Sequence, residues 1–176
     1  MKIVLTLIVL LFLTIFVVSR SSAQGTKTAD KPSVVITTVD SLSSNILSYA
    51  QTLIGIPYRA ASSNPLHGFD CSGFVNFVFK KFDIKVPRSS QDFANAGEKV
   101  SLADAKPGDV ILFTGTATHH PHSVGHVGIV FSNQNGILKF IHSTSGKEYG
   151  VTISAMEDTY KRRFVEVVRM MKQAVL

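Results

Sequence analysis

The sequence has very little cysteine and no long run of basic residues. Its 176 residues include a single cysteine, which excludes an intramolecular disulfide framework and a metal site built from several thiolates. The longest run of lysine and arginine is the three residues over 161–163 and the net charge is only +6, so neither argues for nucleic-acid binding. Charged residues make up 17% and hydrophobic residues 45%, which is typical of one folded domain. The lone cysteine is therefore either an inert core residue or a reactive centre.

The beginning of the chain has the pattern of a secretory signal peptide. A short basic start precedes an apolar run over residues 3–18, and Ser21 and Ala23 occupy the −3 and −1 positions of a cleavage site. The run is shorter than the roughly 20 residues that span a bilayer, so cleavage is favoured over a retained membrane anchor. The sequence predicts a signal peptide over 1–23, a flexible leader over 24–39 and one folded domain over 40–172.

Helical periodicity dominates the first half of the predicted domain. Apolar residues recur at helical spacing over 46–54, after the candidate N-caps Asp40 and Ser41, and Gly55 and Pro57 end this helix. A second helix is predicted over about 70–82, because its apolar residues form one stripe. A third, short helix is predicted to end at Gly97.

After a Pro-Gly pair at 107–108 the pattern becomes that of β-strands. A short helix is also predicted here, over Ala155–Lys161. Helices followed by a run of antiparallel strands predict an α+β fold. The predicted strands, each rich in β-branched or aromatic residues and bounded by turn residues, are Val110–Phe113, His126–Phe131, Ile137–Ser143, Tyr149–Ile153 and Phe164–Met170.

Cys71 stands in the first turn of the second predicted helix. There the unpaired backbone N–H groups and the helix dipole favour a thiolate, so we expect a lowered pKa for this cysteine. Its neighbours Asp70, Ser72 and Gly73 are not apolar core residues, and the glycine permits close approach of another backbone segment. A reactive cysteine needs a base, usually a histidine. The alternative is a core cysteine, because Cys71 also belongs to the apolar stripe of its helix.

Two histidines fall on neighbouring predicted strands. If the loop over 132–136 closes a hairpin that aligns Phe131 with Ile137, His126 lies directly opposite His142. Their Cβ atoms would then be about 4.5–5.5 Å apart on one face of the sheet. A slip of one residue would place the two side chains on different faces.

A cysteine, a base and an orienting partner form the arrangement that nucleophilic catalysis requires. Cys71 would attack, His126 would take its proton, and His142 would bond to the far ring nitrogen of His126 and set its tautomer. Gly128, on the same face, would leave room for the helix that carries the cysteine. His67 is closer to Cys71 in sequence, but the strand placement favours His126 as the base.

A series of short segments then gives the sequence a family resemblance. The segments are Gly55-Ile-Pro-Tyr58, Gly68-Phe-Asp-Cys-Ser-Gly-Phe74, Val86-Pro-Arg-Ser-Ser90, Pro107-Gly-Asp-Val110, Gly125-His-Val-Gly-Ile-Val130 and Phe140-Ile-His142. In this order they resemble the NlpC/P60 family of cell-wall cysteine peptidases, from about Ser44 to Arg169. The resemblance implies a papain-like α+β fold, with the helix of the nucleophile packed on an antiparallel sheet. It also implies hydrolysis of amide bonds in the stem peptides of bacterial peptidoglycan, often between D-glutamate and a diamino acid.

The resemblance also implies roles for individual residues. It gives Cys71, His126 and His142 as nucleophile, general base and acid, and orienting residue, working through a thioester without a cofactor. Four further positions match residues of the binding cleft. Tyr58 would hydrogen-bond near the thiolate or oxyanion, Asp70 and Ser72 match residues that recognise a free stem-peptide amine in some members, and Arg88 matches an arginine with either a substrate role or a structural loop role.

Other functions stay open from the sequence. The same mechanism could serve a D,D-endopeptidase that cuts the cross-link between a diamino acid and D-alanine, an amidase or an acyltransferase. A catalytically silent wall-binding protein is the alternative from another class. The loop over 114–124 carries His119, His120 and His122, which could bind a metal, although a solvated flexible loop is the favoured interpretation.

The predicted location and partners follow from export. Removal of Lys2 and Arg20 with the signal lowers the formal charge from +6 to +4, which is compatible with a substrate rich in carboxylates. We expect a secreted, periplasmic or cell-envelope protein of a bacterium, with peptidoglycan stem peptides as its partner. We expect no nucleic-acid partner, no bound metal and no membrane insertion after cleavage near Ala23, and a monomeric state.

Overall fold

The computed structural model of the protein describes residues 34–116 and 123–171. The predicted signal peptide over 1–23 and the histidines of the long loop lie outside the described residues. Within the described part of the chain, no helix combines the length and apolar character needed to cross a membrane.

Two α-helices precede the main sheet. The first, α1, covers Val34–Gln51 and begins six residues before the predicted N-cap Asp40. The second, α2, covers Cys71–Lys80, because the carboxylate of Asp70 accepts a hydrogen bond from the backbone N–H of Gly73 at 2.6 Å and so caps the helix. Between and after these helices lie two short paired strands, β1 (Ser63–Asn64) and β2 (Gly68–Phe69), and a 3-10 helix (Gln91–Asn95).

Six antiparallel strands form the main sheet and confirm the α+β fold. Their order in space is β3-β8-β4-β5-β6-β7. A short helix, α3 (Asp158–Arg163), connects the last two strands of the chain. The strands are β3 (Glu98–Val100), β4 (Val110–Thr114), β5 (Val124–Gln134), β6 (Ile137–Thr144), β7 (Gly150–Ala155) and β8 (Phe164–Arg169).

Each face of the sheet carries its own apolar cluster. The helices α1 and α2 pack on the face that presents Val127, Ile129 and Ile141. The other face presents Val130 and Phe140 to a second cluster, which is covered by the segment around α3. Alternation along β5 and β6 therefore assigns each residue near the site to one of two different environments.

The register of the β5–β6 hairpin differs from the prediction. The strands continue to Gln134 and from Ile137, so the turn has only two residues, Asn135 and Gly136, with φ of 53° and 75°. Asn-Gly is the preferred pair for this tight hairpin turn, because both residues need positive φ. The predicted five-residue loop over 132–136 and its alignment of strands are therefore wrong.

The corrected register places the two histidines diagonally. Ile129 pairs with Ile141, so the register puts Gly128 opposite His142, and His126 is the next residue on the same face. Compared with the predicted alignment, the partners of strand β5 near the histidines are shifted by two positions along β6. Because this shift is even, both histidines stay on one face of the sheet although they are not directly opposite each other. A Cβ on Gly128 would lie 3.1 Å from Cβ of His142, so this glycine makes room for the histidine and not for helix α2.

Candidate active site

The helix cap and a close backbone contact fix the position of Cys71. It is the first residue of α2, and its Sγ lies 4.0 Å from the carbonyl oxygen of Gly125. The segment at Ser62 crosses the start of the helix, where its carbonyl accepts a hydrogen bond from the N–H of Asp70 at 2.9 Å. A Cβ on Gly73 would collide with the same carbonyl, so only glycine fits there.

The thiol of Cys71 does not have the lowered pKa that the sequence predicts. Backbone N–H groups of Cys71, Ser72 and Val127 point toward the sulfur and lower its pKa. Burial and the negative charge of Asp70 outweigh them, and the pKa of the thiol is raised above its ordinary value. The cysteine therefore rests as a protonated thiol at neutral pH, and a base must remove its proton during the reaction.

A β-bulge at Gly125 precedes the candidate base. Phe113 pairs with His126 and Thr114 with Val124, so Gly125 is an extra residue on strand β5. A Cβ at Gly125 would lie 2.5 Å from Cα of Gly115, and the absence of a side chain allows this approach. Bulges re-aim the neighbouring side chain. Here the bulge places His126 immediately after the residue that touches the cysteine.

The two histidines are joined by a short hydrogen bond. Nε2 of His126 lies 2.8 Å from Nδ1 of His142. Nε2 of His142, whose side chain is fully buried, lies 3.0 Å from Oγ of Ser154 on strand β7. His126, His142 and Ser154 thus follow one another across three neighbouring strands of the sheet, and Cys71 meets this series at Gly125, the residue before His126.

Both histidines are held neutral. Burial and the positive charge of Arg163 lower the pKa of His126 to about 3. Burial, His126 and Arg163 lower the pKa of His142 well below its ordinary value. The imidazole of His126 is thus free to accept a proton at neutral pH, but a pKa this low makes it a weaker base than a histidine with its pKa near 7.

An aromatic residue and an arginine from α3 enclose the histidine pair. The ring of Tyr160 stacks at 6.3 Å on His126 and meets His142 edge-on at 5.5 Å. The guanidinium of Arg163 donates two hydrogen bonds, at 2.9 and 2.6 Å, to the carbonyl of Thr114. Sequence analysis found neither of these residues nor Ser154. Strand alternation suggests the serine once the order of the strands in the sheet is known.

Tyr58 lies at the other side of the cysteine. Burial and the charges of Cys71 and Asp70 raise the pKa of its hydroxyl, which places the tyrosine within their electrostatic reach. Its ring meets the exposed ring of Tyr149 edge-on at 5.8 Å, and its backbone N–H donates to the carbonyl of the same residue. The two tyrosines form an aromatic wall beside the helix start.

Asp70, Ser72 and Arg88 form one hydrogen-bonded group. The guanidinium of Arg88 donates to both carboxylate oxygens of Asp70, at 3.0 and 2.7 Å, and to the hydroxyl of Ser72 at 3.0 Å. The same hydroxyl donates to the carboxylate at 3.2 Å. The charge of Asp70 is therefore already paired before any substrate amine arrives, and Arg88 has at least a structural role.

The other histidines do not join this arrangement. His67 is exposed in the hairpin between β1 and β2. His119, His120 and His122 lie outside the described residues, so their suggested metal site stays a hypothesis. Across 34–116 and 123–171, no group of three histidine, cysteine or acidic side chains is placed to hold a metal ion.

The chain is similar in sequence to two curated proteins. The chain is 36% identical to gamma-DL-glutamyl hydrolase of Bacillus subtilis over 65% of its length and 26% of that protein. It is 34% identical to Murein DD-endopeptidase MepS/Murein LD-carboxypeptidase of Escherichia coli, over 68% of this chain and 58% of that one. The chain thus spans only about a quarter to three-fifths of these two relatives.

A solved structure shows the same fold. The peptidoglycan hydrolase RipB of Mycobacterium tuberculosis superposes with a TM-score of 0.61 at 26% identity, covering 77% of this chain and 68% of RipB. The model of the NlpC/P60 family matches residues 55–169, which is more than half of the chain. The protein belongs to the NlpC/P60 family.

Proposed function

We propose that the protein is an exported peptidoglycan endopeptidase that cleaves stem peptides with Cys71 as its nucleophile. The observation that carries the proposal is that His126, bonded to His142 at 2.8 Å, directly follows Gly125, whose carbonyl oxygen lies 4.0 Å from Sγ of Cys71. It supplies a nucleophile, a neutral base and a partner that orients the base.

The first half of the reaction forms a thioester. The thiol proton passes to Nδ1 of His126, the ring nitrogen that is not bonded to His142, while the sulfur attacks the amide carbon. Backbone N–H groups of Cys71 and Ser72 at the helix start are suited to stabilise the resulting oxyanion, with the Tyr58 hydroxyl as a further donor. The C–N bond then breaks, and His126 returns its proton to the leaving amine.

The second half restores the enzyme. Water attacks the thioester carbon and gives a proton to His126. The C–S bond breaks, the free carboxylic acid of the substrate is released, and the cysteine regains its proton from the imidazolium. Because the cysteine is protonated and the histidine neutral at rest, each turnover begins and ends with the same protonation states.

The bond between D-glutamate and the diamino acid is our first candidate for the cleavage site. It is supported by the relative from Bacillus subtilis, whose name specifies a γ-glutamyl bond. In this assignment Asp70 and Ser72 would receive the free amine of the stem peptide. The substrate ammonium would have to share the carboxylate of Asp70 with Arg88, which lies 2.7 Å away.

The paired charge of Asp70 favours a second candidate. A stem peptide in polymeric wall has no free amine at its start, and a neutral Asp70–Arg88 pair suits such a substrate better than it suits an ammonium. The Escherichia coli relative is named a DD-endopeptidase. Cleavage of the cross-link between the diamino acid and D-alanine is therefore the alternative activity.

We further propose that the signal peptide over 1–23 delivers the protein to the cell envelope. Relatives that act on peptidoglycan support this location. The proposed partner is the stem peptide, and the proposed mature protein is monomeric and needs no cofactor.

Digestion of defined stem peptides tests the activity and the bond together. Peptides with a free or an acetylated first amine, and a cross-linked dimer, are incubated with the wild-type protein and with Cys71→Ala. Mass spectrometry of the products identifies the bond cut. We expect cleavage by the wild-type protein and none by Cys71→Ala, whose circular dichroism spectrum stays unchanged.

Three results would change the proposal. Full product release by Cys71→Ala would rule out the cysteine mechanism. A wild-type protein that sediments with insoluble peptidoglycan but cleaves no peptide would be the silent wall-binding protein instead. Cleavage of the cross-linked dimer alone would select the second candidate bond.

A further inference from the structure

Strand β7 supplies a residue that completes the histidine pair. Oγ of Ser154 lies 3.0 Å from Nε2 of His142, on the side of the ring away from His126. Strand β7 is one of the two edge strands of the six-stranded sheet, and Ser154 is partly exposed while His142 is fully buried. The serine is thus the point at which the buried chain of hydrogen bonds ends.

Proton positions along this chain are linked. To accept the thiol proton, neutral His126 must have Nδ1 without a proton, so its own proton is on Nε2. The Nε2–H group of His126 donates a hydrogen bond to Nδ1 of His142, so Nδ1 of His142 carries no proton. Neutral His142 accordingly carries its proton on Nε2, and this N–H donates a hydrogen bond to Oγ of Ser154.

The opposite arrangement would disable the base. If His142 carried its proton on Nδ1, it would donate to Nε2 of His126. The proton of neutral His126 would then be on Nδ1, where the thiol proton has to arrive. A serine hydroxyl can accept or donate a hydrogen bond, so its presence alone does not decide which nitrogen of His142 carries the proton. Its removal does matter, because a proton on Nε2 then loses the acceptor Oγ. A buried N–H without a partner is less tolerated than an unpaired lone pair.

We propose that Ser154 is a positioning residue that keeps His142, and through it His126, in the tautomer that general-base catalysis needs. This inference rests on the proposed function. Ser154 acts again when His126 becomes an imidazolium, because the chain of bonds through His142 then polarises toward the serine oxygen. No contact of Ser154 with the substrate is required.

Nitrogen chemical shifts of the imidazole rings test the proposal directly. Protein with 15N-labelled histidine is compared as wild type, Ser154→Ala, Ser154→Thr and Thr152→Val. Thr152 is the matched control, because it is the cross-strand neighbour of His142 on the same strand as Ser154. At pH 7.5 we expect both histidines of the wild type to be protonated on Nε2, and Ser154→Ala to move them toward Nδ1.

Kinetics provide the second measurement. On a stem peptide that the wild type cleaves, we expect kcat of Ser154→Ala to fall about tenfold with KM changed less than twofold, as the loss of one hydrogen bond predicts. Ser154→Thr keeps a hydroxyl and should regain most of the rate. Thr152→Val should behave as the wild type in both measurements.

Contrary results are equally clear. Wild-type His142 protonated on Nδ1, or nitrogen shifts in Ser154→Ala equal to those of the wild type, would overturn the proposal without any variant needing to be active. A loss of kcat that Ser154→Thr does not recover would do the same. Failure of the wild type to cleave any stem peptide would contradict the proposed function instead, since the nitrogen shifts do not depend on a substrate.

Discussion

Two neutral histidines inside the sheet should make the fold sensitive to mild acid. The pKa of His126 is lowered to about 3 by burial and Arg163, against an ordinary value of 6.5. Below pH 6.5 the unfolded chain takes up a proton at this position, and the folded chain does not. Stability is therefore fully present above pH 6.5 and declines as the pH falls toward about 3.

The size of the effect follows from the pKa difference. Each pH unit below 6.5 costs about 1.4 kcal/mol for one such group, so His126 alone accounts for about 2 kcal/mol at pH 5.0. His142 acts in the same direction, because its pKa is also lowered. A loss of this size is a large part of the 5–15 kcal/mol that typically stabilises a domain.

Urea unfolding at pH 7.5 and 5.0 measures this contribution. We compare the wild type with His126→Gln, which cannot take up the proton, and with His67→Gln, which removes an exposed histidine as a matched control. The decrease in unfolding free energy between the two pH values should be about 2 kcal/mol smaller in His126→Gln than in the wild type. His67→Gln should keep the wild-type decrease. An equal decrease in the wild type and His126→Gln would refute the assignment of a buried neutral base.

Two further substitutions test the start of helix α2. Gly73→Ala places a methyl group against the carbonyl of Ser62, so we expect a loss of at least about 3 kcal/mol in unfolding free energy, whereas Gly146→Ala should be tolerated. A melting temperature for Gly73→Ala equal to that of the wild type would contradict the close contact. Arg88→Met should cost about 1–2 kcal/mol by thermal unfolding, because the arginine is 44% exposed and solvent weakens its pair with Asp70. Arg88→Lys should lose less, and equal losses in both variants would exclude a charge contribution.

Local signals in the sequence were sufficient for the helix that carries Cys71. The cap at Asp70 and the apolar stripe that follows depend on residues only a few positions apart, and the structure has helix α2 starting at Cys71 as predicted. The hairpin register was wrong for an equally local reason. The Asn135-Gly136 pair favours a two-residue turn, which the predicted five-residue loop does not take into account.

The remaining parts of the site depend on contacts between distant segments. Ser154 reaches His142 only because β7 pairs with β6, and Arg163 reaches the histidines only because α3 lies beside β4. Neither pairing has a signal within a short window of sequence. The raised pKa of Cys71 was missed for a similar reason, since burial is set by the whole fold and here exceeds the effect of the helix start.

The bulge at Gly125 also bears on how the length of the chain near His126 can vary. The N–H of Gly115 donates to the carbonyl of Ser123, which closes the base of the intervening segment, and the bulge takes up the extra residue before His126. Insertions or deletions between these two anchor points would leave the pairing of Phe113 with His126 unchanged. The length of this segment can therefore change without moving the paired strands that carry His126.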